Sequence, residues 1–561
     1  MSTSSPRRII ESRTLFASRR GRILQENLTA YLFLLPAALI IFIFGIFPVG
    51  FAVYVSLHRW RLVPGKFKGL GNYTKAIGGL AYVGAFWLAV GALVGAVLLV
   101  RRVLRVARER SDRLSLWLLP GVVSASGVLL FVRFVVLWLP EMLDIAEKLK
   151  GHERTQELIL RLFGETFQVP AVSQALWSSL AILAAGLALG ALVSRMSPGE
   201  KAGFYYANLL LAVGLLAVGV LLFAFTLSQV QAEYVKAAEE GIELSIWSQI
   251  VTISAGVVLL GLAWLVWKRA AGQSSNARTA LIMMAAVMLM VGAWILIGEL
   301  PRIVEEGDED LFEGFVVTAF YSLGTVPFQL VISLFLAYLL FQNIRGQTFF
   351  RMVYFLPYVT PAVASAAVFR IIFSNRATAP ANQMLKALGM ETQAWLLEPR
   401  GIFQMLAEGA GVSIPAWAAG PSLALVVIIL FNIWTYVGYD TVIFLAGLGA
   451  IPGELYEVAK IDGGGRWALF RHITLPLISP TTFFLTLIAI IGTFKAFNHI
   501  WVLRHASALG TTDTASIVIF REFFENSRLG YTSAMAFVLF AVILSLTLIQ
   551  NRVAGRRVFY G

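Results

Sequence analysis

Residues 203–228, GFYYANLLLAVGLLAVGVLLFAFTLS, decide the fold because none of them is charged and most are strongly apolar. A helix that crosses a bilayer needs roughly 20 mostly apolar residues. Eleven further runs meet this requirement, so the sequence predicts an all-α, polytopic transmembrane helical bundle of about 12 spans. The predicted spans are 30–57, 78–100, 115–139, 174–194, 203–228, 248–267, 279–299, 314–341, 352–374, 422–446, 480–504 and 530–550.

The composition agrees with a membrane protein. The 561 residues are 58% hydrophobic and 14% charged, whereas an average soluble domain is roughly 45–50% apolar and about 25% charged. A soluble enzyme and a disordered chain are therefore both excluded. The net charge of +13 is better explained by membrane topology than by nucleic acid. Because the chain has no cysteine, disulfides, thiolate metal sites and cysteine nucleophiles are excluded as well.

Basic loops predict the direction of the spans, since Lys and Arg collect on the cytoplasmic side of a membrane. Residues 1–29 form a basic segment that we expect to be cytoplasmic and retained, because no small-residue cleavage site follows its apolar run. The loops then predicted inside are basic, and those at 229–247 and around Glu305 are acidic and lie outside. Both termini are thus expected in the cytoplasm. The basic residues are Arg7, Arg8, Arg13, Arg19, Arg20, Arg22, Arg101, Arg102, Arg105, Arg108, Arg110, Arg113, Arg195, Lys201, Lys268, Arg269, Arg278, Arg552, Arg556 and Arg557.

Two features between the early spans call for separate predictions. Apolar residues recur at helical spacing through 141–166, which predicts an external amphipathic helix lying on the membrane surface, with a lid or partner contact as the alternative. Arg133 lies in the middle of span 115–139. A charge there is costly in lipid, so Arg133 is a candidate for an ion pair inside the bundle.

The loop at 451–480, IPGELYEVAKIDGGGRWALFRHITLPLISP, differs from the other cytoplasmic loops. Pro452 suits a first helical turn, and an amphipathic helix is expected to follow it. Gly463 and its two glycine neighbours end that helix. A second helix is predicted from Arg466 to Thr474, stopping before Leu475. A cytoplasmic helix pair with one apolar face needs a partner that buries that face.

This loop resembles the EAA loop of binding-protein-dependent ABC importer permeases. The resemblance implies that it forms the coupling helices, which dock on a cytoplasmic ATPase subunit. Val458 and Gly464 depart from the alanines usual at their positions. The matching residues, which the resemblance makes the ATPase-coupling residues, are Glu457, Ala459, Asp462, Gly463, Phe470, Ile473, Leu475 and Pro476.

Other motifs extend the resemblance to the carbohydrate subclass, the maltose-transporter permease type with six core spans. They are Leu32–Pro36, Gly69–Tyr73, Asn343–Gly346 with Phe349–Pro357, and Leu445–Leu448. The predicted organisation is a cytoplasmic N-terminus at 1–29, a first core span and outer segment at 30–77, an inserted region of about six spans at 78–311, a permease core at 312–551 with the coupling loop at 451–477, and a cytoplasmic tail at 552–561. An even number of inserted spans would preserve the orientation of the core.

The resemblance implies a permease subunit in a prokaryotic cytoplasmic (inner) membrane, surrounded by lipid. Its expected partners are a second permease subunit, two ATPase subunits and an extracytoplasmic sugar-binding protein, with no nucleic acid. The chain contains no phosphate loop for ATP, no metal-ligand pattern and no serine or kinase signature. We therefore expect no catalytic residues, no metal and no cofactor on this chain, and ATP with Mg²⁺ on the partner ATPase.

Polar side chains cluster on faces of three predicted spans and suggest a substrate path. Aromatic rings can cover the C–H faces of a sugar, and amides can pair with its hydroxyls. The same side chains could instead join helices by hydrogen bonds, so both interpretations stay open. Whether Asp440 pairs with a base or faces water is also open. The residues are Tyr321, Thr325, Gln329 and Ser333; Asn432, Thr435, Tyr436 and Tyr439; and Lys495, Asn498 and His499.

Two alternatives accompany the importer hypothesis. An ion-gradient-driven secondary transporter often has twelve spans, but it predicts two similar halves, and the coupling loop has no counterpart near the first spans. The inserted region could also be a sensory or assembly module on a permease core. Arg504–Gly510 stands where the family usually has a Gly-Gly-Pro stretch, so the preference for substrate or binding protein is expected to differ there.

Overall fold

The computed structural model of the protein describes residues 19–61, 63–151, 153, 155–197, 201–241, 244–270, 272, 275–342 and 345–555. Within these ranges every regular element is a helix, accompanied by two isolated β-bridges, which confirms the all-α class. Several residues used for the topology and motif predictions lie outside the described ones: Arg7, Arg8, Arg13, Asn343, Ile344, Arg556 and Arg557.

The first part of the chain forms long apolar helices. A π turn at Phe42–Ile46 joins the first two of them into one continuous span. The helices are α1 (Arg19–Ile41), α2 (Phe47–Ser56), α3 (Gly71–Ile77), α4 (Leu80–Arg110), α5 (Ser115–Lys148), α6 (Gln156–Thr166), α7 (Pro170–Met196), α8 (Ala202–Glu240), α9 (Ile246–Ala270) and α10 (Ser275–Glu305).

The second part alternates long helices with short ones. It contains α11 (Glu309–Phe341), α12 (Gln347–Val359), α13 (Ala362–Ile372), α14 (Pro380–Ala387), α15 (Ile402–Gly409), α16 (Leu423–Gly449), α17 (Gly453–Ile461), α18 (Arg466–Leu469), α19 (Leu475–Leu477), α20 (Ser479–Phe494), α21 (Asn498–Leu503), α22 (Ala515–Phe524) and α23 (Leu529–Val553).

The number of spans agrees with the sequence. In the described part of the chain, ten helices are long and apolar enough to cross a membrane. Two bent helix pairs raise the number to 12 if each pair is one span. The prediction of a bundle with about 12 spans is confirmed in this sense.

The span predicted at 352–374 is formed by two helices with a bend between them and not by one continuous helix. Helices α12 and α13 meet at an angle of 94°. Thr360 between them has an extended ψ of 138°, because the ring of Pro361 disfavours a helical conformation in the residue before it. The proline therefore bends the span sharply.

The span predicted at 480–504 is also interrupted. Helix α20 ends at Phe494 and α21 begins at Asn498, with Phe497 in a non-helical conformation between them. The break leaves a carbonyl of α20 without its helical partner, and the Ser516 hydroxyl of α22 donates to the Phe494 carbonyl at 2.8 Å. A broken helix at membrane depth is tolerated where neighbouring protein satisfies the freed backbone groups.

The prediction of one external amphipathic helix over 141–166 was wrong for its first half. Residues up to Lys148 continue α5, and only α6 is a separate helix. The Trp138 indole of α5 donates to the Thr166 hydroxyl of α6 at 2.9 Å, and Phe163 packs edge-on against Trp138. These contacts join the C-terminal end of α6 to α5, while Ile159, Leu160 and Phe163 remain exposed.

Helices α4 to α10 pack mainly as pairs, α4 with α8, α5 with α7 and α9 with α10. Small residues lie where backbones approach. A Cβ on Gly186 of α7 would lie 2.2 Å from the Ser124 hydroxyl of α5, and one on Gly292 would lie 3.0 Å from the Gly256 carbonyl oxygen. Such close approach is how helices associate in lipid, where no hydrophobic effect drives them together.

The later helices form a second packed group around α11. This helix contacts α16, α20 and α22, and Tyr321 packs with Ile428 and Phe431 in a buried cluster. The two groups of helices meet near α3. The Leu70 N–H donates to the Gln229 side-chain oxygen at 3.3 Å, and the Asp308 N–H donates to the Ala76 carbonyl at 3.2 Å.

Candidate functional site

Helix α17 begins directly after Pro452 and ends in a tight glycine turn. The Gly463 N–H donates to the Lys460 carbonyl at 3.1 Å, and the Gly464 N–H donates to the Ala459 carbonyl at 2.8 Å. This pair of bonds is a Schellman motif, which needs a left-handed residue after the helix. Gly463 supplies it with a φ of +83°, and a Cβ on Gly464 would lie 2.6 Å from the Ala459 oxygen. The turn geometry therefore explains both glycines.

The second helix of the loop is longer than predicted. We predicted its end at Thr474, but α18 continues through a π turn at Phe470–Thr474 into α19, which ends at Leu477. A proline removes one helical N–H and crowds the preceding turn. The wide π turn lies directly before Pro476, which occupies the first turn of α19 and needs no N–H there. The helix then meets α20 at 60°.

One contact joins the two helices of this pair, and two further contacts attach the pair to the rest of the chain. The hydroxyls of Tyr456 and Thr474 lie 3.0 Å apart and join α17 to the second helix. The Phe470 ring packs edge-on against Tyr338 of α11, with centroids 5.2 Å apart. Ile478, which follows α19, is buried with Phe444 of α16. A displacement of the pair would therefore reach α11 and α16.

The predicted coupling residues differ in exposure. The exposed ones are Glu457, Asp462, Gly463 and Leu475, and the partly buried ones are Ala459, Phe470, Ile473 and Pro476.

An apolar surface lies beside these residues. Leu455, Val458 and Ile461 form one stripe of α17, and all three side chains are exposed. Ile461 is 85% exposed and Trp467 of α18 is 69% exposed. We call these four residues the α17 face. A large apolar surface of this kind, in a loop between membrane spans, is typical of a protein docking site. Trp467 lies in the loop quoted above, but it was not singled out because it is not one of the positions that match the EAA loop.

The polar residues of α11 and α16 meet inside the helix bundle. The Gln329 amide donates to the Asp440 carboxylate at 2.6 Å, and the Asn432 amide donates to the Gln329 side-chain oxygen at 3.3 Å. The Ser333 hydroxyl donates to the Val437 carbonyl at 3.0 Å. All these side chains are buried. Gln329, Asn432 and Asp440 form the buried polar cluster, which joins α11 to α16, and the open question about Asp440 is answered by its bond to Gln329.

Thr325 is buried one turn before Gln329, and Tyr321 is buried two turns before it. The Tyr321 hydroxyl and the His499 ring nitrogen Nε2 lie 2.8 Å apart. Thr435 donates to the Phe431 carbonyl of its own helix. The Thr325 hydroxyl has no hydrogen-bond partner among the residues described. These polar groups are therefore enclosed by the bundle.

The remaining predicted path residues are accessible. Tyr436 is exposed and Tyr439 is half-buried. The ring of Tyr358 on α12 stacks on Tyr439 with centroids 4.5 Å apart and meets Tyr436 edge-on at 5.7 Å. We call these three residues the tyrosine cluster. Tyr358 was missed by the sequence analysis, although it directly follows the Phe349–Pro357 motif.

Three further charged or polar positions lie at the surface. Asn498 and Lys495, at the break between α20 and α21, are exposed. Arg133 is exposed on the outer surface of α5. The prediction that Arg133 lies inside the bundle in an ion pair was wrong, because the buried face of α5 is formed by other residues, among them Phe134 and Leu139.

The segment at 504–513 is held in place by charged side chains. The Arg504 guanidinium lies 3.8 Å from the Trp501 ring centroid and 3.7 Å from the Asp513 carboxylate. Arg521 contacts the same carboxylate at 3.1 Å. Burial raises the pKa of Asp513, and the two guanidiniums act in the opposite direction. This network fixes the segment Arg504–Gly510, for which the sequence predicted a different substrate or binding-protein preference.

Comparison with known proteins identifies the class. Residues 329–558 match the family described as binding-protein-dependent transport system inner membrane component. The chain is 31% identical over 255 residues to the sn-glycerol-3-phosphate transport system permease protein of Yersinia enterocolitica, covering 45% of this chain and 78% of that protein. It is 30% identical over 232 residues to the arabinooligosaccharides transport system permease protein of Bacillus subtilis, covering 41% of this chain and 66% of that one.

A solved structure is also similar. A chain of a bacterial alginate ABC transporter, in complex with alginate pentasaccharide-bound periplasmic protein, aligns with a TM-score of 0.39 at 24% identity. The alignment covers 45% of this chain and 81% of that one. The family is shown by the sequence matches, which cover more than three quarters of the Yersinia enterocolitica protein at 31% identity. The chain belongs to the binding-protein-dependent ABC transporter permeases, and it is a multi-pass membrane transport subunit.

Proposed function

We propose that this chain is the transmembrane permease subunit of an ATP-driven importer for a carbohydrate, an oligosaccharide or a related small solute. An extracytoplasmic sugar-binding protein would deliver the substrate. The names of the two relatives support this class, since one carries arabinooligosaccharides and the other carries a phosphorylated polyol. We further propose that both termini are cytoplasmic, as the distribution of Lys and Arg suggests.

The observation that carries the proposal is the α17 face. Its apolar side chains are exposed at the end of a glycine turn, and the same loop is tied to α11 and α16 by Phe470 and Ile478. Such a surface is suited to a groove on a cytoplasmic ATPase subunit. Two ATPase subunits would bind ATP and Mg²⁺, and a second permease subunit would offer an equivalent loop to the second ATPase.

The proposed mechanism is a rigid-body change driven by nucleotide. Closure of the ATPase pair would displace α17 through Glu457 and Asp462 at its exposed edge. The Tyr338–Phe470 contact would pass the displacement to α11, and the buried polar cluster would keep α11 and α16 moving together. Access to the substrate would then alternate between the two sides of the membrane.

We propose a division of roles among the predicted path residues. Tyr436, Tyr439 and Asn498 are accessible from outside this chain, and with Tyr358 they are suited to a path shared with the second permease subunit. Stacked tyrosine rings can cover the apolar faces of a sugar. Four buried residues would act indirectly, by holding in place the helices that line this path. They are Tyr321, Thr325, Gln329 and Asn432.

The region 78–311 is proposed as an insert in the permease core. The family match begins at residue 329, and α4 to α10 pack largely among themselves. Deleting 78–311 tests its purpose. Retained transport with altered regulation would support a sensory or assembly module, whereas loss of membrane insertion would make the region structural.

Substitutions in the α17 face test the proposed function. Ile461→Asp and Trp467→Ala should each lower the amount of co-purifying ATPase subunit by roughly tenfold, as expected for loss of an interface anchor. Trp417→Ala is the matched control, since Trp417 is equally an exposed tryptophan but lies in the loop before α16.

Undiminished ATPase capture by both α17-face variants would overturn the proposal. Transport driven by an ion gradient in vesicles without ATPase subunits would favour a secondary transporter instead.

A further inference from the structure

The segment between the first span and α4 is unusually basic for its side of the membrane. Residues 57–77 contain Arg59, Arg61, Lys66, Lys68 and Lys75 and no acidic residue. This segment follows a span that begins near the basic N-terminus, so the proposed topology puts it outside. Lys and Arg are normally depleted from outer loops. The exception calls for a ligand or a neighbour of negative charge.

The structure brings these charges together. Four of the five, all except Lys66, line one pocket of about 230 Å³, and Arg528 at the start of α23 completes it. The other lining residues are Trp60, Asn72 and Tyr531. The pocket is thus formed by parts of the chain more than 400 residues apart, and its walls carry five positive charges.

The positive charges of the pocket are largely uncompensated. Arg528 is paired with Glu522 at 3.3 Å. Lys68 donates to the Asn72 side-chain oxygen at 3.3 Å, and the Lys75 ammonium lies 4.1 Å from the centroid of the Tyr531 ring. Neither contact neutralises a charge. Across the described ranges, no ion pair is formed by Arg59, Arg61, Lys68 or Lys75.

The crowding has a measurable consequence in Lys68. Partial burial lowers the pKa of its ammonium group, and the nearby charges of Lys75 and Arg59 lower it further, while the charge of Glu233 acts in the opposite direction. An anion placed among these groups would relieve this repulsion. Three or more cations around one small pocket fit a phosphate group, whose oxygens accept several charge-assisted hydrogen bonds at once.

The position of the pocket favours a lipid as the source of that phosphate. Trp60 and Tyr531 lie at the outer ends of two candidate spans, Thr29–Ser56 and Leu529–Val553. Aromatic and basic residues at such ends lie at the level of lipid headgroups. The most apolar stretch of Thr29–Ser56 is entirely unburied, and Val49 and Val53, just below the pocket, are exposed. Acyl chains could therefore lie against α2 while the headgroup occupies the pocket.

We propose that this pocket, lined by Arg59, Arg61, Lys68, Lys75 and Arg528, binds a phosphate group on the outer face of the membrane. The phosphate would come from an anionic phospholipid of the outer leaflet or from a soluble phosphate ester. The site is separate from the tyrosine cluster and from the α17 face, so it acts on the anchoring of the first and last spans rather than on transport chemistry. It binds its ligand whether or not the ATPase subunits are attached.

A thermal-unfolding titration of the full chain in a neutral detergent tests the site. The probes are short-chain phosphatidylglycerol, short-chain phosphatidylcholine and inorganic phosphate. Phosphatidylglycerol should raise the melting temperature of the unaltered protein far more than phosphatidylcholine does. Lys68→Gln with Lys75→Gln should weaken its apparent affinity by about tenfold or more. Lys66→Gln removes a charge from the same segment outside the pocket and should leave the affinity unchanged.

The outcomes separate the sources of the phosphate. Protection by inorganic phosphate at the same concentrations, lost in the double variant, would assign the pocket to soluble phosphate. Protection by phosphatidylglycerol alone would assign it to lipid. The proposal would be overturned if the ligand protected the double variant, Lys66→Gln and the unaltered protein equally. It would also be overturned if the pocket bound only an acidic protein partner. Arg59→Gln with Arg61→Gln serves as a second variant if the lysine pair fails to fold.

Discussion

The α17 face and the buried polar cluster are opposite in character, although both stood out in the sequence. The first exposes Leu455, Val458 and Ile461 where the loop leaves the membrane spans, whereas the second buries Gln329 and Asp440 within them. An exposed apolar surface gains free energy by acquiring a partner. A buried polar group that is already hydrogen-bonded gains nothing from one. The comparison therefore assigns docking to the α17 face and cohesion to the polar cluster.

The largest effect is expected from a variant that tests the docking role assigned to the α17 face. Gly463→Val forces a β-branched side chain into a φ of +83° and should disorder the end of α17. Transport should fall by roughly tenfold or more while the chain still inserts into the membrane. Transport and ATPase activity of the reconstituted assembly measure this.

Gly465→Val is the matched control for that variant. Gly465 has an extended conformation with a φ of −71°, and no atom lies within 4 Å of an added Cβ. Its variant should transport normally. If Gly463→Val kept full transport with normal stimulation of ATP hydrolysis, the coupling role of the turn would be wrong.

If the buried polar cluster holds α11 to α16, removing one of its members should lower the stability of the chain. Gln329→Leu would leave the Asp440 carboxylate and the Asn432 amide without their buried partner. The free energy of unfolding should fall by about 1–3 kcal/mol, the cost of unsatisfied buried polar groups. Denaturant titration in detergent measures it, with Asn498→Leu at an exposed position as the control. An unchanged stability of Gln329→Leu would show that the cluster does not hold α11 to α16.

The smallest effect on stability is expected in the tyrosine cluster. Tyr436→Ala removes an exposed ring and should change the free energy of unfolding by less than about 1 kcal/mol. It should nevertheless change the relative uptake of oligosaccharides of different length several-fold, because a sugar-stacking surface is lost. Competition transport assays measure this change. If this variant and Tyr439→Ala both kept the relative uptake of the unaltered protein, the tyrosine cluster would not belong to the substrate path.

The sequence predicted the bundle well because hydropathy alone identifies helices that cross a membrane. It also located the glycine turn, since a left-handed residue after a short amphipathic helix leaves a local signature at Gly463. It missed the 94° bend because Pro361 was treated as part of a continuous apolar run. At the break before Asn498 a freed carbonyl is satisfied by Ser516, which lies on another helix, and no local pattern reveals that contact.

The candidate site was harder to predict than the fold. Asn432 and Tyr436 lie on the same face of α16 by helical spacing, yet Asn432 is buried against α11 while Tyr436 is exposed beside Tyr358. Which neighbour each position meets depends on the packing angles of α11 and α12. Helical periodicity therefore found the polar positions, and only the tertiary structure separated those that join helices from those that are accessible.

The location and docking of α17 are tested most directly by labelling a single cysteine. The chain has no native cysteine, so Asp462→Cys and Lys66→Cys each provide a unique thiol. A membrane-impermeant maleimide should label Asp462→Cys only from the cytoplasmic side, and bound ATPase subunits should protect it, while Lys66→Cys should react only from outside. Labelling of Asp462→Cys from outside, or equal labelling with and without the ATPase subunits, would contradict the account.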